Sequence, residues 1–280
     1  MKQFRKMTYP YVVWIAIMIV APMLMIVLYA FTKEGTRVTN FAFTLSNFVR
    51  FFEDSVFLEV LGRSLRIAIE TTAICILIGY PTAYFIAKSR EVTKTRMILL
   101  ITLPTWINML VRTYAWLGIL QDDGVINSFL GLFGIPALSL MYTDFAVVLG
   151  MVYNFLPFMI LQIVTALSKM DDSLLEAAND LGANRFETFW RVTFPLSLPG
   201  VISGITLVFL PAVSSFFIPG ILGGGQYVMI GTLIESQFIT AGDWSFGSAI
   251  SLIMAVIIII SMYLTRRMDR STALESGDGE

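Results

Sequence analysis

The sequence predicts an all-α integral membrane protein with six spans. Hydrophobic residues make up 56% of the 280 positions and charged residues only 14%, and the mean hydropathy is +0.77. Such a chain is too apolar for an ordinary soluble domain. Its apolar runs also recur at roughly 20 residues, the length that crosses a bilayer core as a helix.

The first run, Tyr9 to Phe31, follows Lys2, Arg5 and Lys6 as a secretory signal would. It exceeds the usual signal core and contains Pro22, which makes it an uncleaved span. The pattern "LSNFVRFFEDSVFLEVLG" then reads as a short amphipathic helix outside the membrane, closing an N-terminal segment 1–63. Five further spans follow: Ser64 to Ala87, Met97 to Leu120, Met141 to Thr165, Leu198 to Pro219 and Gly247 to Thr265. They make residues 64–265 the main membrane unit, and the polar tail 266–280 reads as disordered. Pro22, Pro81, Pro104, Pro157 and Pro211 fall inside these runs, where a proline removes a backbone hydrogen bond and can kink a span.

Basic residues crowd alternate connections, with Lys88, Arg90, Lys94 and Arg96 after span two, Lys169, Arg185 and Arg191 after span four, and Arg266, Arg267 and Arg270 after span six. Residues 121–140 and 220–246 contain neither lysine nor arginine. The bias places both termini in the cytoplasm. It is incomplete over residues 32–63, which carry Lys33, Arg37, Arg50 and Arg63.

Several function classes are excluded. A net charge of -1 and no basic patch interleaved with aromatics leave no nucleic-acid reading. No histidine and a single cysteine, Cys75, leave neither a disulfide nor a Cys/His metal centre. The absence of a clustered carboxylate motif counts against a membrane enzyme.

One polar stretch, "LLEAANDLGANRFETFWRVTFPLSLPG", interrupts the apolar pattern on the cytoplasmic side. Asp172 or Ser173 can cap a helix, with Ser173 and Glu176 in capping-box register. Leu174, Ala177, Ala178 and Leu181 share a stripe, and Gly182 can end the helix in the left-handed conformation. Asn184 and Glu187 can cap a second helix with an apolar face of Phe186, Phe189 and Trp190. Pro195 is expected to stop it, and Pro199 and Gly200 to turn the chain into the next span. The apolar surface so formed either folds back on this chain or docks a soluble partner.

This stretch resembles the EAA loop of binding-protein-dependent ABC importer permeases. Glu176-Ala177-Ala178, Gly182 and Val192-Thr193-Phe194-Pro195 keep that motif's spacing, with Val192 and Phe194 in place of the usual isoleucine and leucine. The resemblance implies a six-helix type I importer fold, with residues 166–198 as the coupling-helix loop that docks on a cytoplasmic ATPase. "LPTWINMLVRTYAW", "LEAANDLGA", "PGILGGGQYVMIGTLI" and "DWSFGSA" further resemble the spermidine/putrescine permeases of the PotB type. That likeness implies a bacterial cell-membrane assembly with a second, PotC-like permease, two PotA-like ATPase subunits and a PotD-like solute-binding protein outside. No G-x-x-x-x-G-K-[ST] pattern occurs, so ATP and Mg²⁺ fall to the ATPase partners and no cofactor is expected on this chain.

Glu70, Arg112 and Asp144 are ionisable residues at membrane depth, on the outer half at 1.5 Å per residue. Arg112 can pair with Glu70 or Asp144, either to tie helices together or to form part of a path or external gate. A polyamine path needs carboxylates and aromatic faces, which makes Asp144, Glu235 and Asp243 candidates together with Trp106, Tyr114, Tyr153 and Trp244. Gly223-Gly224-Gly225 is either a bent or flexible loop or a contact for the binding protein. Another solute, such as an iron complex, thiamine or a small cation, and a stand-alone carrier are the alternative readings.

Overall fold

The computed structural model describes residues 2–33, 42–225 and 227–275. Among the described residues, five helices are long and apolar enough to cross a membrane, and a sixth span is present if one bent pair is counted as a single crossing. In chain order the helices are α1 (Tyr9–Ala30), α2 (Ser46–Glu53), α3 (Ser55–Ala87), α4 (Glu91–Trp106), α5 (Met109–Leu120), α6 (Val125–Gly131), α7 (Asp144–Leu167) and α8 (Asp172–Asp180). They continue with α9 (Arg185–Ser214), α10 (Phe217–Leu222), α11 (Ile230–Ser236) and α12 (Trp244–Glu275). Irregular backbone in lipid would leave polar groups unpaired, which is why helices dominate.

The expected third span is broken. Its two halves meet at 91°, because α4 tightens into a 3-10 turn over Leu103–Trp106 and Ile107 adopts an extended conformation. Asn108 then starts α5 as its cap, accepting from the Leu110 amide at 2.8 Å. Pro104 and a capping asparagine four residues later are sufficient cause.

Two other prolines sit in continuous helices by a different route. The ring of a helical proline clashes with the carbonyl four residues before it. For Pro22 that residue is Met18 and for Pro195 it is Arg191, and each lies in a π-helical segment, Ala16–Val20 and Phe189–Thr193. The wider turn makes room for the ring. Pro195 therefore does not stop a helix, and α9 runs from Arg185 through Ser214. Pro199 and Gly200 lie inside it rather than in a turn.

The amphipathic segment also divides differently from the expectation. Asp54 caps α3 by accepting from the Val56 amide at 2.9 Å, so the long helix begins well before Ser64 and the boundary at 63/64 falls inside it. Only Ser46–Glu53 forms the separate α2. Its Phe51 is fully buried against Phe57 of α3, and Phe57 in turn meets Phe246 of α12. At the other end, α12 continues through Glu275, so residues 266–275 of the expected disordered tail are helical. Nothing in "TRRMDRSTALE" breaks a helix, and the first glycine comes at Gly277, outside the described residues.

The core is a three-helix contact of α3, α7 and α9. Within the chain 61% of the apolar window of α7 is buried, against none of α1, so α7 is the central helix and α1 a peripheral one. Small residues allow the approach, as between membrane helices generally. A Cβ on Gly200 would stand 2.4 Å from the Ala166 Cβ and 2.8 Å from the Gln162 carbonyl, and one on Gly204 2.5 Å from the Met159 sulfur. Tyr80 and Ser197 hydroxyls hydrogen-bond at 2.8 Å across α3 and α9.

Gly200→Val should therefore push α7 and α9 apart at a cost of about 1–3 kcal/mol. Thermal unfolding in detergent should show a lowered midpoint for this variant and none for Gly118→Ala, whose Cβ meets nothing within 4 Å.

Candidate functional site

The polar stretch folds into two short helices set end to end, α8 and the start of α9. Asp171 is the cap of α8, accepting from the Ser173 amide at 3.0 Å, one residue earlier than expected. With Asp171 in that place the third helical residue is Leu174, so Ser173 and Glu176 form no box. Hydrogen bonds from the Ser173 backbone and side chain hold the Asp171 carboxyl below its ordinary value.

α8 ends as expected. Gly182 takes φ +83°, its amide reaches the Asn179 carbonyl at 2.9 Å, and the Ala183 amide reaches Ala178 at 3.0 Å. These are the two bonds of a Schellman closure, which needs a left-handed residue at Gly182. The expected box at the start of α9 is present too. Asn184 accepts from Phe186 and Glu187 at 3.0 and 2.9 Å, and Glu187 returns a bond from the Asn184 amide at 3.0 Å.

The apolar surface is divided between the two fates. Phe189 packs edge-on against Tyr80 and Tyr84 of α3 at 5.8 and 5.7 Å, and Phe194 meets Tyr80 at 5.7 Å. Those rings root the pair in the bundle. Leu181 remains 89% exposed and Phe186 72% exposed, with Leu174 also uncovered. Glu176 and Ala177 are exposed, Ala178 and Val192 half-buried, and Pro195 exposed. A cleft of about 350 Å³ opens beneath α8, between Tyr84, Lys88, Leu167, Leu175 and Thr193.

The far end of α3 carries charge. Arg66 Nε donates to Glu70 Oε1 at 2.7 Å, and its Nη2 lies 3.8 Å from Asp144 Oδ2. Arg112 therefore pairs with neither carboxylate. Arg66 stands one helical turn from Glu70, whereas α5 packs chiefly on α10 and α6 and less on α7. Nε and Nη1 of Arg112 are buried without a hydrogen-bond partner among the described residues. Trp116, one turn on from Arg112, meets Tyr153 at 5.4 Å.

The remaining path candidates are dispersed. Asp243, 8% exposed, is engaged twice: it accepts from the Phe246 amide at 2.9 Å and pairs with Arg50 at 3.0 Å. The Arg50 guanidinium also lies 4.1 Å from the Phe246 ring centroid. Asp243 thus ties α2 to the start of α12. Trp244 is exposed and touches Tyr29 and Phe238, Trp106 and Tyr114 are exposed, and Glu235 is half-buried on α11. Gly223 and Gly224 form a tight turn: a Cβ on Gly224, at φ +59°, would collide with the Tyr142 ring, and one on Gly223 with Tyr227. Sequence reasoning missed Arg66 and Arg50. Arg66 had a signal in its spacing of four from Glu70; Arg50 had none, since its partner lies 193 residues away.

Known proteins agree with this architecture. Residues 75–274 match the family described as binding-protein-dependent transport system inner membrane component, and the chain belongs to that family. It is a multi-pass inner-membrane permease subunit of an ABC importer, a non-catalytic component whose family implies an ATPase, a binding protein and a paired permease. Among its relatives, the spermidine/putrescine transport system permease protein PotB of Haemophilus influenzae is 36% identical, covering 98% of each chain. PotB of Escherichia coli K12 is 35% identical over 94% of this chain and 98% of its own. A chain of a bacterial alginate ABC transporter superposes with a TM-score of 0.81 at 16% identity, covering 96% of this chain and 94% of that one. A chain of the MetNI methionine transporter gives 0.55 at 13% identity over 77% and 95%.

Asn184→Ala removes the acceptor of two amides and should cost about 1 kcal/mol locally. Hydrogen exchange at the Phe186 and Glu187 amides should accelerate about fivefold, with the α3, α7 and α9 core amides unchanged.

Proposed function

We propose that this chain is a polyamine permease whose α8–α9 pair is the docking element for an ATPase. The observation that carries the coupling reading is an exposed apolar face, Leu174, Leu181 and Phe186, on helices locked by the Gly182 closure and the Asn184 box. A surface of that kind outside the bundle core needs a cover, and Phe189 on Tyr80 and Tyr84 supplies a rigid link from it into α3. Glu176, Ala177, Ala178, Gly182, Val192, Phe194 and Pro195 are the residues we assign to coupling.

The solute reading rests on the PotB relatives, which match nearly the full chain. Spermidine and putrescine are flexible cations with methylene spacers, and Glu70 and Asp144 supply carboxylates at the end of α3 away from the loop. The assembly we infer has two PotA-like ATPases on the α8 side, a PotC-like second permease and a PotD-like binding protein opposite. Both termini then lie in the cytoplasm, in keeping with the basic connections. ATP closes the ATPase pair, α8 moves with it, and α3 and α9 carry the motion through the membrane.

Uptake of labelled spermidine and putrescine in cells lacking this chain tests both parts. The wild type should restore uptake. Leu181→Asp alters only an exposed side chain, and it should abolish uptake and ATPase co-purification while the chain still inserts. Gly182→Val, strained at φ +83°, should do the same, and Gly182→Asn, which tolerates that conformation, should keep part of the activity. Uptake indifferent to the chain would sink the polyamine reading and leave another small solute. Normal ATPase capture by Leu181→Asp would sink the docking surface.

A further inference from the structure

At the end of α3 away from the coupling loop, a cleft of about 650 Å³ is lined by Glu59, Gly62, Arg63, Arg66, Asp144 and Tyr227. Glu70 adjoins it through its bond to Arg66. Three carboxylates thus face two guanidiniums. Arg63 is occupied with Glu59 at 2.9 Å and lies 5.8 Å from the Tyr227 ring centroid. Arg66 is held on both sides, but unequally: it hydrogen-bonds Glu70, while Asp144 at 3.8 Å is beyond hydrogen-bond reach.

Two facts make this more than a surface ion pair. Glu70 stands 17 residues from the loop end of α3 at Ala87, about 26 Å along the helix, which is inside a hydrocarbon core of about 30 Å. Arg66, a turn further at about 32 Å, stands at the outer margin of that core, and its side chain is 64% exposed within this chain. The cleft thus lies at the outer mouth of the bundle, where charged groups face water or protein rather than lipid. It also already holds a cation suspended between two carboxylates, beside an aromatic face whose turn is clamped by Gly223.

We propose that this cleft is an outer station for the cationic groups of the incoming solute, and that Arg66 occupies it as a tethered stand-in. The proposal rests on the polyamine reading for the identity of the solute. An incoming ammonium replaces the guanidinium on Asp144 first, where the hold is weaker, and then on Glu70, with the Tyr227 ring offering its negative face. The exchange swaps one cation for another, so neither carboxylate is left unpaired. Weak, exchangeable binding is what a path needs in order to release what it admits. With no solute present, Arg66 keeps other cations from resting there.

The test is cysteine labelling in the complete transporter in native membranes. Gly62→Cys places a thiol in the cleft, where its Cβ meets nothing within 4 Å, and Cys75 is fully buried, away from reagents. After normalisation to a free thiol, trimethylammonium-ethyl methanethiosulfonate should react at least about threefold faster than the anionic sulfonatoethyl reagent. Spermidine should slow the reaction. Asp144→Asn should remove both effects, whereas Arg66→Gln should let spermidine protect at lower concentration, because its competitor is gone. An ion pair that only braces helices predicts that both substitutions weaken protection. Equal normalised rates, or protection weakened by Arg66→Gln, overturns the proposal. If cells take up no spermidine but the reagent preference and its Asp144 dependence persist, the cation station stands and the polyamine reading falls. Uptake of spermidine without any preference does the reverse.

Discussion

The bundle depends on how closely α7 can lie between α3 and α9. Lipid tails are as apolar as leucine, so helices in a membrane are held by close packing and a few polar contacts rather than by escape from water. Here Gly79, Gly200 and Gly204 meet Met159, Ala166 and Gln162 at distances where no Cβ fits without displacement of its neighbours. The Tyr80 to Ser197 hydrogen bond adds direction to that contact. Every other element is placed relative to these three helices.

That arrangement makes α3 the continuous connection between the polar loop and the charged cleft. It is one unbroken helix of 33 residues despite Pro81. Near one end Tyr80 and Tyr84 receive Phe189 from the polar loop, and in the other half Arg66, bonded to Glu70, reaches Asp144 from α7. The loop and the charged cleft are thus joined by one continuous helix. The π-helical segment at Phe189–Thr193 lies between the loop and the body of α9, so the same widened turn that accommodates Pro195 also joins the loop to the packed bundle.

Local chemistry that acts within a turn or two was legible in the residues. The left-handed Gly182, the Asn184–Glu187 box and the helical character of every long apolar run follow from short-range sterics and hydrogen bonding, and each is present. Where the reading failed, a local rule had a longer-range or subtler answer. Pro195 breaks a regular α-helix but not one that widens upstream of it. Pro104 and Asn108 together make a 91° bend that neither announces alone. The cap of α8 moved from Asp172 or Ser173 to Asp171, since three adjacent polar residues offer the same hydrogen bond.

The sequence by itself determined a helical membrane chain, through composition and run length, and its resemblance to importer permeases, through the spacing from Glu176 to Pro195, because these are properties of the chain in order. Only the tertiary structure decided which charges meet. Glu70 and Asp144 were visible as costly residues at membrane depth, but the cation that answers them is Arg66 and not Arg112. Asp243, a plausible path residue on its type alone, is committed to Arg50 and to the Phe246 amide. The physical reason is that an ion pair is fixed by where helix faces turn after packing, and packing is set by contacts between residues far apart in the chain.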